Sequence, residues 1–204
     1  MRTAGFLSSL VVLTISTVAQ AANAPAAPTT TSDAQANEAI AARVSAATQL
    51  GPQHAALAKY LGRWDVDIAL PRMAAHSKGT ADYYWVIEGR WLGCRIKGTM
   101  LGQPFEEFTV LGYDSYSQSA VEVSVESADN SMVMSRGSPT DSTQSSAVLF
   151  GELDEYTRGS LHRPFKVIER WLSDRRHVTE VWDLGGGEAP TQKITFTFTK
   201  VQSP

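Results

Sequence analysis

The chain is poor in the residues that most specific chemistries require. Of its 204 residues one is a cysteine, Cys94, which excludes an intramolecular disulfide framework and any multi-cysteine zinc site. Four are histidines, His54, His76, His162 and His177, and no two stand at i,i+2 or i,i+4, so no metal site is expected. There is no excess of positive charge. Lys plus Arg number 18 against 21 Asp plus Glu, a net charge of −3, which leaves neither nucleic acid nor an anionic membrane surface a basic field to bind. No G-x-S-x-G elbow or S-x-x-K is present to activate a nucleophile. Gly185-Gly186-Gly187 precedes no helical pattern and reads as a hairpin tip, not a phosphate loop. With no haem-attachment cysteines either, no cofactor is expected. Long apolar runs are missing too, and the longest, from Phe6 to Ile15, is shorter than the roughly 20 residues a lipid-spanning helix needs.

That short run has a different meaning. Arg2 precedes it and Ala19-Gln20-Ala21 ends it, the order of a secretory signal peptide with an A-x-A cleavage site. Residues 1–21 are therefore expected to be removed, and the mature protein to be exported to a bacterial periplasm or secreted, with no integral membrane span. Residues 22–50 are rich in Ala, Pro and Thr and short of large apolar groups, which predicts a flexible linker. Ser32 or Asp33 is placed to cap a helix through Ile40 and Val44, but so thin a stripe gives it little to pack with. The folded domain is expected over 51–204, opening with a short helix between Gly51-Pro52 and Gly62.

After Gly62 the period of the pattern changes to two. Trp64 to Leu70 alternates until Pro71, and nine further runs follow: 79–87, 90–99, 105–113, 120–127, 132–136, 147–153, 165–172, 177–184 and 193–201. Turn dipeptides such as Glu88-Gly89, Asp114-Ser115 and Asp129-Asn130 separate them. About ten strands at hairpin spacing, with no long helix between, make an antiparallel all-β fold. Open edges on so many strands are costly, so the sheet is expected to close into an up-and-down β-barrel with a short N-terminal helix, a two-sheet sandwich being the alternative. Closure at this strand number leaves an interior that side chains need not fill.

Specific residues carry a resemblance. Gly62-Arg63-Trp64 at the first strand looks like the G-x-W signature of lipocalin and calycin barrels, with Gly62 turning the chain and Trp64 plugging one end. The longer series is Gly51-Pro52-Gln53-His54, Leu61 to Val66, Gly89-Arg90-Trp91-Leu92, Lys97 to Met100, Gly102 to Glu106 and Gly112-Tyr113-Asp114. It resembles the bacterial domain-of-unknown-function family 1579, placed among calycin-like barrels. Glu107-Phe108 stands where that pattern usually has Gly, and Val121–Asn130 lacks its usual Trp and Asp. The resemblance implies a fold and no reaction.

The candidate site follows from these strands. Arg90 and Glu106, on neighbouring strands, are the best polar pair to orient a ligand head or an acid–base step. Tyr113 stands at the end of the latter strand. Tyr83 and Trp85 supply aromatic wall, Tyr84 facing the other way. His54 in the short helix either meets an interior ligand or packs locally. Asp65 and Asp67 read as the wet face of the first strand, and Cys94 as a small buried residue. The expected function is a non-enzymatic barrel holding a small hydrophobic or amphipathic molecule. Two alternatives stand beside it: a barrel isomerase, cyclase or hydrolase using Arg90, Glu106 or Tyr113, and an interaction domain with a filled core.

Overall fold

The computed structural model describes residues 31–139, 145–156, 158–185, 187 and 189–202, so the expected signal peptide, residues 1–21, lies outside the described residues. By internal contacts the chain divides into Met1–Ala39 and Ile40–Pro204. Helix α1, Thr31–Thr48, runs across that division. Residues 32–50 are exposed throughout, so this described part of the stretch expected as a linker contributes nothing to a core, although its alanines suffice to write it as a helix.

The larger unit begins with the short helix α2, Pro52–Ala56, and continues through a single 3₁₀ turn, Leu57–Tyr60. Ten strands follow: β1 Gly62–Leu70, β2 Ala75–Ile87, β3 Trp91–Met100, β4 Gln103–Asp114 and β5 Ser119–Glu126 make the first half. The second half is β6 Met132–Pro139, β7 Ser146–Glu155, β8 Ser160–Ser173, β9 Arg176–Asp183 and β10 Thr191–Lys200. Each pairs antiparallel with its chain neighbours, and β1 pairs with β10, Val66 opposite Phe198, to close the barrel. The barrel expected from hairpin spacing is the fold, and the sandwich is excluded. Several strands are longer than their sequence patterns, β8 and β2 most; β2 begins at Ala75, because polar His76-Ser77-Lys78 is carried by full pairing with β1 from Asp67 to Ala69.

The two ends of the barrel are built differently. At the end where β1 starts, Gly62 has φ +108°, a left-handed turn that a side chain would strain. It delivers Trp64, fully buried, into the barrel base, where its indole N–H donates to the Tyr60 carbonyl at 2.6 Å. Trp171 donates to the Tyr60 hydroxyl at 3.2 Å, and the His177 ring stacks on Phe198 with centroids 4.2 Å apart. These rings pack edge-to-face around one another and fill the base. On the outer wall, Trp91 lies flat against Gly112, where an added Cβ would stand 2.3 Å from the ring. That contact joins the Gly89-Arg90-Trp91 and Gly112-Tyr113-Asp114 segments into one feature.

Candidate functional site

Beyond the aromatic base the lining of β5 and β6 includes the small side chains Ser124, Val133 and Ser135, which leave the middle of the barrel unfilled. A cavity of about 690 Å³ results. Its floor is Tyr60 and Tyr83 from the base, and its apolar wall is Ile96, Leu111, Phe165, Val167, Phe196 and Phe198. Met73 and Tyr156 line the far end while 64% and 69% exposed, which marks that end as the mouth.

The rest of the wall is acidic. The β4–β5 register sets Glu107 opposite Glu126 and Leu111 opposite Glu122, and period-two alternation turns all four inward. Glu169 joins them from β8. Burial, with Glu169 and Glu107 nearby, pushes the Glu122 carboxyl up to about 8. Burial likewise raises Glu107 to about 7, with Glu126 adding to it and the Thr109 hydroxyl, donating at 3.0 Å, opposing it. Glu126 is raised by burial and by Asp129. Glu169 lies 3.2 Å from Nδ1 of the wholly buried His177, at an angle outside hydrogen-bonding geometry, and neither ring nitrogen has a hydrogen-bond partner among the described residues. Burial and then Glu169 hold the Tyr60 hydroxyl well above its ordinary value. Cys94 lines the same wall beside Tyr83, its thiol raised mainly by burial.

Cations are fewer and are placed toward the mouth. Lys193 pairs with Glu155 and stands 4.0 Å from Asp183. Asp183 is a buried carboxylate that Arg163 grips through Nε at 2.8 and 2.9 Å and to which Gly185 N–H donates. Although burial pushes Asp183 upward, those partners hold it below its ordinary value. Around the whole cavity Glu107, Glu122, Glu126, Asp129, Asp154, Glu155 and Glu169 face only Arg72, Arg158 and Lys193, seven acids against three bases.

Of the residues expected to form the site, Tyr83 lines the cavity. Arg90 and Glu106 are not paired. Arg90 sits in the β2–β3 turn and donates to the Thr48 carbonyl at 3.0 Å. Glu106 is on the outer face, because Phe105 beside it is buried inward, and it pairs with Arg95 and, at 3.9 Å, with Lys97. Tyr113 packs edge-on against His54, centroids 5.6 Å apart. His54 is buried and accepts the Gly51 N–H on Nδ1 at 3.1 Å, the local packing role. Trp85 shares the phase of Tyr83 but is not part of the cavity lining. Gly62 makes the left-handed turn into β1, and Trp64 donates its indole N–H to the Tyr60 carbonyl. Asp65 and Asp67 are exposed, the latter 3.7 Å from Lys78. What sequence reasoning missed is the acidic wall. Its signal lay in the strict alternation of Glu122, Ser124 and Glu126 with three valines, of which the valines face out.

The family described as protein of unknown function (DUF1579) matches residues 49–200. No curated protein sequence matches the chain. Among solved structures, Rv2717c from M. tuberculosis aligns with a TM-score of 0.53 at 12% identity, over 76% of this chain and 100% of that one. A redesigned β-barrel, b11L5F_LGL, aligns at 0.38 with 14% identity, over 72% and 96%. EF1p2_mFAP2b bound to DFHBI aligns at 0.40 with 10% identity, over 73% and 99%. At these identities the likeness to Rv2717c speaks for the barrel fold alone.

Proposed function

The chain belongs to the DUF1579 family, and from the cavity of this barrel we propose that it is an exported, non-enzymatic protein that holds a small hydrophobic or amphipathic molecule in its interior. The observation that carries this is the space itself. A void of about 690 Å³, closed at one end by packed rings and open at the other, falls within the roughly 300–1,000 Å³ of small-molecule pockets. Its wall joins a continuous apolar side to a few convergent polar groups, the composition such pockets share. Binding is favoured over turnover because Arg90, Glu106 and Tyr113 share no site in which to act together. Export rests on the basic, apolar, small-residue order of residues 1–21.

Native mass spectrometry of protein purified from its own host tests the proposal. The expected result is a mature chain beginning at Ala22, carrying a bound mass that denaturation releases. A chain retaining residues 1–21 overturns export. An empty protein that also gives no saturable fluorescence with the neutral probe N-phenyl-1-naphthylamine overturns binding.

A further inference from the structure

We infer that the molecule held in the cavity is an organic cation, an apolar body bearing an ammonium head that Glu122 receives with Glu107 and Glu169 beside it. The inference rests on the reading of the barrel as a ligand binder and adds the charge of the ligand.

Three independent features converge on it. The first is charge count: the lining carries seven acids and three bases, and Lys193 is already committed to Glu155. An anionic head entering this space meets like charge on most sides. The second is Glu122 itself. Its side chain lines the cavity half-buried and meets no hydrogen-bond donor among the described residues; its nearest charged neighbours are Glu169 and Glu107. An anion partly withdrawn from water beside two further carboxylates is costly unless something supplies opposite charge. A proton does this at low pH and an ammonium group at higher pH. The third is the surface beside the acids. Tyr60, Tyr83, Phe165, Phe196 and Phe198 present ring faces and edges to the same space, the surroundings that accept an alkylammonium head and tail.

Protons and the ammonium group therefore compete for the same carboxylates. The titratable and charged groups that face Glu122 and its partners are Glu107 on β4, Glu126 on β5, Glu169 on β8, His177 on β9, Tyr83 on β2, Cys94 on β3 and Tyr60 of the 3₁₀ turn, with Lys193 on β10 farther toward the mouth. Burial holds Glu122 and Glu107 partly protonated near neutrality, so a cation must displace protons and binds more tightly as they leave.

Octylammonium, octanol and octanoate share one tail and differ in head charge. Titrated calorimetrically into the full chain at pH 8.5, octylammonium is expected to bind at least about tenfold more tightly than octanol, as charge-assisted bonds warrant, with octanoate weakest. Glu122→Gln should erase most of that preference while leaving octanol affinity unchanged, and lowering the pH to 6 should shrink it in the wild type. Loss of a buried charge does not threaten folding, and the melting curve of the variant checks this. Octanol or octanoate binding as tightly as octylammonium overturns the cation and leaves the binding barrel standing. The same holds if octylammonium is preferred but Glu122→Gln and Glu107→Gln bind it unchanged. No binding by any of the three overturns the barrel as a binder and the cation with it.

Discussion

The base of the barrel and the chamber above it are made from the same ten strands and obey opposite rules. In the base the inward positions are crowded with rings, and the indole N–H groups of Trp64 and Trp171 find partners in Tyr60. In the chamber an apolar wall faces a side whose inward positions are small or charged, and the valines of β5 point outward. The base is the arrangement that stability selects. The chamber keeps desolvated carboxylates and an empty volume, both of which cost stability, and such features persist where a function uses them. The contrast teaches where to look for function in this fold: at the places that fold worst.

Breaking the base has the largest expected effect. Trp64 is fully buried, and its loss opens a large cavity and orphans the Tyr60 carbonyl. Trp64→Ala is expected to destabilise by roughly 3–5 kcal/mol in urea unfolding. A loss below about 1 kcal/mol would mean that the base is not a packed core. The buried pair Arg163–Asp183 behaves similarly near the mouth, since removing Arg163 leaves the buried Asp183 only the Gly185 N–H and, at 4.0 Å, Lys193 among the described partners. Arg163→Ala is expected to cost about 3 kcal/mol.

The chamber responds in the other direction. Glu122 and Glu107 rise from an ordinary 4.5 to about 8 and about 7 in the folded state, which therefore holds protons that the unfolded chain releases. Their contribution is fully present below about 4.5 and is lost as pH rises through 7 and 8. Asp183, held low, gives stability that is present above 3.8 and lost as pH falls further. Wild-type stability should thus peak at mildly acidic pH and fall by several kcal/mol toward pH 9. Glu122→Gln should flatten that decline and raise the urea midpoint at pH 8.5, by about 1–3 kcal/mol, with little change at pH 5. A wild-type curve that rises from pH 5 to 9 would break the comparison between base and chamber.

The strands and the closed barrel were legible in the sequence because alternation and turn residues are local signals. All ten runs recur as strands. Facing direction was not legible. Period two fixes that Val121, Val123 and Val125 share a face but not which face, and the usual rule of apolar inward fails where the interior is a wet chamber. The same uncertainty misplaced Glu106, whose neighbour Phe105 takes the inward position. The pairing of Arg90 with Glu106 failed on register, since Lys97 stands opposite Glu106 and Arg95 reaches it instead. By the resemblance drawn from sequence, the segments that part from the family pattern, Glu107-Phe108 and Val121–Asn130, are those that bring Glu107, Glu122 and Glu126 into the chamber.

The smallest expected effect separates inside from outside most cleanly. Glu106 and Glu107 are adjacent carboxylates of one strand with opposite facing. Glu106 is 41% exposed at its side chain and shares its charge with Arg95 and Lys97 in water. Exposed pairs of this kind contribute about 0–1 kcal/mol, and salt screens them. Glu106→Gln is therefore expected to move the urea midpoint within that range, independent of pH between 6 and 9, and to leave N-phenyl-1-naphthylamine binding unchanged. Glu107→Gln, one residue on, is expected to change the pH dependence of stability and the affinity for octylammonium. Identical behaviour of the two variants would mean that facing direction carries no energetic consequence here, and the chamber would lose its distinction from the outer wall.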